Sequence, residues 1–584
     1  MDVSIDNIRK TIEELCKFEN RIAGTKMEHD AAKYLIDRLS EYGFPDIIQH
    51  KFPVISWNPS EASLTIVSPT EKTIDCTPMP YTTSVEERVR LVDMNSENEQ
   101  KTDKHPVFGL TEWGPNIYGA PTVAYNKALD MGLDGVIVSS PVEGDMLKVL
   151  VVARGDELQI PVFSISKEDG DSLRKMIDES EVVLDVRAVV EKRKSDSSNI
   201  EVVLQGSEPD YDIVIGAHYD AWFSGAADNA APVAVVVEVA RLLKESVDNG
   251  DTLKRTVRFL LYGAEESGTN RFFFWVNGSR EYVQSRETLD DIGLVVSLDS
   301  VGYNAPNYIV STHETSGFAK TLTETIGHED RFVHWSPPGY GSDHWFFTSG
   351  GVPTIYLIPW PSDLYHTQKD TPEILDYDSI QAFAEYSVGA VSTFANAIVL
   401  PFDIIYQTEQ LQQRVQEYSR GKGNPLDLQS VLKHLADIRE LKPDFDNYKK
   451  ATLESDDKER ISEFNSILRK VSGKLNRTIG LLLPVKGESQ AKHLPNLDLV
   501  TDIVALDSII KSLGKMPIMD ISPRTRSQFS AFEDTPVSWI DVEKPIEALR
   551  EERERMIKMV TNEVEDFLVT VKEIQSALEK LLKS

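Results

Sequence analysis

Between residues 200 and 360 four apolar runs, YDIVIGAHYD, TVRFLLYGAEE, GLVVSLDSVG and VPTIYLIPW, alternate with stretches of helical length such as APVAVVVEVARLLKESV. Strands apolar on both faces and separated by helices predict an α/β fold: a mostly parallel sheet covered by helices. Near the start, KMEHDAAKYLIDRLSEYGF brings Ala31, Tyr34, Leu35 and Leu39 to one face of a helix before a glycine stop, and the turn RIAGT separates it from a helix upstream. From about 53 to 195 the texture changes to short strands and Pro/Gly turns. Within it NKALDMGLDGVIVSS reads as helix then strand, and IPVFSISKEDGDSLRKMI as strand then helix. The polar stretch EKRKSDSSN at 191–199 reads as an inter-domain linker. The expected organisation is an α/β domain formed by 1–52 and 196–401, an α+β insertion at 53–195, and a helical domain at 402–584.

The last helix carries a seven-residue apolar repeat. Ile557, Val564, Val571 and Leu578 alternate with Val560, Phe567, Ile574 and Leu581 at spacings of three and four. Such a stripe either packs on its own bundle or forms a seam for a second subunit.

Charge narrows the partners. With 94 Asp and Glu against 62 Lys and Arg, the formal net charge of -32 repels phosphate backbones and anionic lipid, so neither nucleic acid nor a membrane surface is an expected partner. MDVSIDNIRK lacks a basic stretch followed by an apolar one, and no apolar run approaches the roughly 20 residues of a membrane helix, so the expected location is cytoplasmic. Two cysteines, Cys16 and Cys76, cannot form a disulfide framework and are expected to be small buried hydrophobes.

The chemistry lies where the apolar runs stop. IGAHYDAWFSGAADNA, residues 215–230, ends its run in His218, Asp220 and Asp228. Glu265 and Glu266 follow the second run, Asp299 the third, and His366 in LYHTQKDTP the fourth. Open α/β sheets build their sites at the carboxyl ends of strands. Two imidazoles with several carboxylates suit zinc or a similar divalent ion, and the set is too rich in carboxylate for a structural zinc. It is about right for two ions some 3.5 to 4 Å apart, bridged by one carboxylate and sharing a water. Adjacent Glu265 and Glu266 would divide the labour, one binding metal and the other moving protons. Asp220, two residues after His218, is placed either to cap a turn or to accept that ring's other N–H. Tyr365 is either a packing aromatic or a donor to oxyanion charge. Asp343 and His344 in GSDHWF are left outside a ligand set that is already filled.

GAHYDAW…GAADNA, GAEESG, SLDSVG and LYHTQKDTP, in this order, resemble the motifs of the co-catalytic di-zinc exopeptidases, the family of aminopeptidase Y and glutamate carboxypeptidase. The resemblance implies the zinc exopeptidase fold. It implies that His218 and Asp299 hold one zinc, Glu266 and His366 the other, and that Asp228 bridges them. It further implies Glu265 as general base, Tyr365 as a stabiliser of the tetrahedral intermediate, Asp220 as the group that orients His218, and a cis peptide bond from Asp228 to Asn229. No ligand is missing, unlike the transferrin-receptor branch that resembles this family. Residues 53–195 resemble its protease-associated domain, and 402–584, beginning PFD, are weakly similar to its helical dimerisation domain, which implies a homodimer.

The chain departs from glutamate carboxypeptidase after the third run, where YGSDHWFFTSGGVPTIYLIPW contains no Arg to clamp an acidic substrate. ADNA is closer to the simple aminopeptidases. The expected activity is therefore release of N-terminal residues from short peptides with two zinc ions, cobalt or manganese being possible substitutes; a carboxypeptidase or another amide hydrolase is the alternative, and a metal-free binding protein the remaining class.

Overall fold

The computed structural model describes residues 2–96, 105–114, 120–152, 158–208, 210–268, 275–339, 341–420, 428–478, 507 and 543–583. Helices α1 (Ile5–Leu15) and α2 (Lys26–Glu41) are capped by Ser4 and Thr25, whose side chains accept the N–H groups of Asn7 and Glu28. Ala31, Leu35 and Leu39 are buried and Tyr34 is half-buried, as the spacing predicts.

The insertion contributes β1 (Ile48–Ser68), β2 (Lys72–Ile74), β3 (Cys76–Pro78), β4 (Val85–Asp93), β5 (Val107–Glu112), α3 (Ala120–Asp130), β6 (Gly135–Ser139), β7 (Val162–Ile165), α4 (Lys167–Glu179) and β8 (Val182–Leu204). The α/β domain follows with β9 (Asp212–His218), α5 (Ala231–Asp248), β10 (Thr256–Tyr262), α6 (Asn277–Gln284), β11 (Ile292–Leu298), β12 (Asn307–Ser311), α7 (Ser316–Thr325), β13 (Phe332–Trp335), α8 (His344–Ser349), β14 (Thr354–Pro359) and α9 (Tyr377–Asn396). The four apolar runs are β9, β10, β11 and β14. They stand in the order β14-β11-β9-β10, all parallel, with β12 antiparallel to β14 and β13 outside it. The zinc exopeptidase fold expected from the motifs is the fold observed.

One reading of the sequence is corrected. EKRKSDSSN is no linker but the middle of β8, which pairs antiparallel with β1 from Ile48–Glu201 to Ser68–Val183. Its charges sit mainly on exposed faces of a long two-stranded ribbon, so backbone pairing rather than apolar alternation makes the strand. Boundaries at 53 and 195 thus fall inside strands. The first half of β8 pairs with β4 of the insertion and its last residues pair with β10, so a single sheet runs through both parts.

The helical region comprises α10 (Ile404–Arg420), α11 (Gln429–Glu440), α12 (Lys442–Leu453), α13 (Lys458–Thr478) and α14 (Glu543–Leu581); residues 479–506 and 508–542 of the expected helical domain lie outside the described ones. Of the apolar repeat, Phe567, Val571, Ile574, Leu578 and Leu581 are buried with Val431, Leu435, Leu468 and Leu475 of α11 and α13. This part of the stripe packs on its own bundle. Both cysteines are free; Cys16 is buried but Cys76 only half-buried, against expectation, because its short strand pairs with β7 at the end of the sheet. Among the described residues no helix is long and apolar enough to cross a membrane.

Candidate metal centre

Every residue of β9 is buried, and its last, His218, emerges at the carboxyl edge of the sheet. Gly216 is required there, since a Cβ would lie 2.6 Å from the Tyr262 ring and 2.8 Å from the Leu260 carbonyl of β10. Beyond β9 the chain loops to Asp228 under the control of Arg21, from the RIAGT turn. Its fully buried guanidinium donates to the carbonyls of Leu15, Tyr219, Ser224 and Gly225 at 2.8 to 3.1 Å. Gly225 adopts φ +54°, where a Cβ would lie 2.5 Å from the Asp228 carbonyl. The Asp228–Asn229 peptide bond is cis, as the resemblance implies.

Two groups of ligand atoms converge: His218, Glu265 and Asp299 in one, Asp228, Glu266 and His366 in the other, each set within 4.8 Å and all buried. Asp228 lies between them. Its Oδ1 is 3.4 Å from His218 Nε2 and its Oδ2 3.4 Å from His366 Nε2. Asp299 Oδ1 is 3.7 Å from His218 Nε2, and Glu266 Oε1 is 2.9 Å from His366 Nε2. Atoms about 2.0 to 2.1 Å from a tetrahedral zinc lie about 3.3 Å apart, so the separations of 3.4 and 3.7 Å fit a shared ion better than direct contact, while Glu266 and His366 stand at ion-pair distance. Asp228 Oδ1, Glu266 Oε1 and His366 Nε2 are also buried without a hydrogen-bond partner, which is costly unless something binds them. The residues present therefore fit divalent ions.

Electrostatics agrees. Burial raises Glu265 well above the usual carboxylate range, with Glu266 and Asp343 adding to the rise, and pushes Glu266 up to about 7. Burial would lower His366, but Glu266 and Asp228 lift it to about 9; His218, beside Glu265, Asp220, Asp228 and Asp299, is likewise lifted well above the usual imidazole range despite its burial. Burial would raise Asp228, yet the two imidazoles hold it below the usual range. Crowded carboxylates that retain protons are a site awaiting positive charge.

The supporting residues differ in part from expectation. His218 Nδ1 pairs with the backbone carbonyl of Asp220 at 3.1 Å, while the carboxylate lies 3.6 Å away. The Asp220 carboxylate instead accepts the backbone N–H groups of Glu265 and Glu266 at 2.8 and 2.9 Å. It anchors the loop carrying both glutamates. Tyr365 is half-buried and stacks on His366 with centroids 3.7 Å apart. His344 stays away from the ligand groups, stacking on Tyr356 and pairing with the Gly339 carbonyl. Asp343 is buried nearby, and burial pushes it up to about 7.

Sequence reading missed four residues. Asp370 accepts the N–H groups of Ala227 and Asp228 at 2.8 and 3.0 Å and the Tyr303 hydroxyl at 3.1 Å, clamping the bridging loop; its place four residues after His366 in HTQKDTP was the available signal. Trp222 donates to Glu266 Oε2 at 3.0 Å. From the insertion, Val149 faces His366 and Lys148 donates to the Tyr365 carbonyl. Lys148 is a cation that a search for Arg between 340 and 360 could not find.

A buried imidazole–carboxylate centre at the carboxyl edge of a parallel sheet has the donor chemistry of a divalent-metal site. Residues 199–391 match Peptidase family M28, which shows the resemblance carried by the four motifs. The chain is 24% identical over 444 residues to the "probable leucine aminopeptidase 2" of Aspergillus oryzae, covering 68% of this chain and 85% of that one. It is 27% identical to Aminopeptidase YwaD of Bacillus subtilis and to a Glutamate carboxypeptidase 2 homolog of Caenorhabditis elegans, spanning 41% and 38% of this chain but only 52% and 33% of theirs. Its fold is similar to that of BSAP, a zinc aminopeptidase from Bacillus subtilis, with TM-score 0.54 and 20% identity over 68% of this chain and 96% of that one. A Peptidase M28 precursor from Shewanella amazonensis gives 0.55 and 22% over 68% and 98%.

Proposed function

We propose that the chain is an aminopeptidase that binds two zinc ions and releases residues from the free amino end of short peptides. The observation that carries this reading is Asp228, whose two oxygens face one imidazole each, 3.4 Å away, from two separate ligand groups. In this assignment His218 and Asp299 hold one ion, Glu266 and His366 the other, and Asp228 both. Ions held there would supply Lewis-acid polarisation of the scissile carbonyl and would acidify the attacking water. Glu265 takes the proton from that water and delivers it to the leaving amine. Asp220 keeps Glu265 in place through the 265–266 amides, and Tyr365 supplies a hydroxyl to the developing oxyanion.

The end-specificity follows from charge. Glu265, Glu266, Asp299 and Asp343 gather at the centre and bring no cation to hold a substrate carboxylate. A carboxypeptidase is the second reading, favoured by one observation: Lys148 beside Tyr365. Its ammonium, however, is engaged by the Tyr365 carbonyl and lies against that ring at 5.3 Å, buried. A peptide with a free amine and blocked carboxyl should be cleaved, and its mirror with a blocked amine and free carboxyl should not. Cleavage of only the second would make the enzyme a carboxypeptidase.

We also propose a homodimer and a protease-associated role for the insertion, on the resemblance. Light scattering of the full chain should give twice the monomer mass of 65.6 kDa; a monomer would refute the dimer and leave the chemistry intact.

A further inference from the structure

The two ligand groups are supported from different parts of the molecule. In the first, His218 pairs with a backbone carbonyl on its own loop, and Asp299 accepts the Ser300 hydroxyl at 3.0 Å and the Tyr356 hydroxyl of β14 at 3.3 Å. All of these belong to the α/β domain. In the second, His366 Nδ1 lies 3.2 Å from the carbonyl oxygen of Val149, and the Val149 N–H donates back to the His366 carbonyl at 3.0 Å. A carbonyl can only accept, so Nδ1 is the donor and Nε2 is left as a ligand facing Asp228 and Glu266. Around this pair, Lys148 donates to the Tyr365 carbonyl, Lys148 and Thr367 form a β-bridge, and Leu147 N–H donates to the Gln368 side chain at 2.7 Å. Glu266 is fixed the same way. Its Oε2 accepts from Trp222 Nε1, leaving Oε1 for His366 and the centre, and Trp222 is packed among Trp57, Trp113, Tyr125 and Val149 in the core of the insertion.

We infer that the inserted segment around Lys148 and Val149, together with Trp222 seated in its core, sets the metal affinity of the Glu266–His366 position separately from that of the His218–Asp299 position. The two ions are therefore unequal by construction: one is held by the sheet, the other by the contact between insertion and sheet. Trp222, Lys148 and Val149 act as positioning residues through Glu266 and His366. The inference rests on the two-ion reading above.

The test is zinc binding by the full-length chain, stripped and retitrated in equilibrium dialysis. Trp222→Phe keeps the bulk of the side chain and removes its N–H, so it should weaken one of two zinc ions by roughly 10- to 100-fold and leave the other at its wild-type affinity, the usual effect of losing a group that orients a ligand. Tyr356→Phe, which removes the hydroxyl that donates to Asp299 and keeps the ring that stacks on His344, should weaken the other ion instead. Lys148→Met, which leaves Trp222 and its aromatic neighbours unchanged, should repeat the Trp222→Phe pattern, and it decides the matter if the tryptophan variant fails to fold. Added zinc should restore kcat in Trp222→Phe with KM unchanged. If wild type binds two ions and both variants of the insertion side weaken neither ion, or both equally, the inference is overturned alone. If wild type binds fewer than two, the two-ion reading falls and takes the inference with it.

Discussion

Glu265→Gln should lower turnover by roughly 10² to 10⁴, the usual worth of a positioned acid–base group, while zinc and peptide still bind. The substitution keeps size and hydrogen-bonding capacity and removes only the ability to take a proton. Asp220 holds the residue by its backbone N–H at 2.8 Å, so the loop should not move when the side chain changes. Single-turnover rates with zinc stoichiometry measured on the same sample separate a lost base from a lost ion. Undiminished activity would show that the base is another group, with Asp343, buried in the same cluster, the first to examine.

Chelation should abolish hydrolysis, and zinc or cobalt should restore it. The protonation of the ligands sets how this depends on pH. Glu266 and Asp228 lift His366 to about 9 despite burial, and burial pushes Glu266 up to about 7, so both groups hold protons more firmly than usual. A raised pKa means the proton is kept until pH passes it, and an incoming dication must displace that proton. Zinc affinity should therefore rise with pH from about 6 to 9, and calorimetry in buffers of different ionisation enthalpy should detect protons released on binding. A stoichiometry near zero in freshly purified, unchelated protein would end the metal reading.

The ligand set was readable before any coordinates because the physics behind it is local. An apolar run in a parallel sheet ends at the carboxyl edge, and parallel strands bring all such ends to one side, so His218, Glu265, Glu266 and Asp299 had to meet there. The turn RIAGT is readable only as a turn: that Arg21 joins three carbonyls of the bridging loop to the Leu15 carbonyl at the end of α1 depends on how the first two helices dock. The 191–199 stretch was misread because its charges mimic a linker, whereas a partner strand some 140 residues earlier supplies the pairing that makes it β8. Likewise Asp220 is readable beside the imidazole two residues away, 3.6 Å from its Nδ1, but not as the group that also holds two amides 45 and 46 residues on.

What the chain by itself determined is thus the α/β class and the candidate ligands at the strand ends, which follow from side-chain type and period, while their division between two ions is what the family resemblance implies. The tertiary structure alone decided which oxygen of Asp228 faces which imidazole, which nitrogen of His366 is free to bind, and that the insertion reaches the centre. Val149 and His366 are 217 residues apart, and nothing in the pattern near either one specifies the other. Their contact exists because a continuous sheet carries the insertion back over the strand ends, a long-range packing outcome that periodicity does not encode.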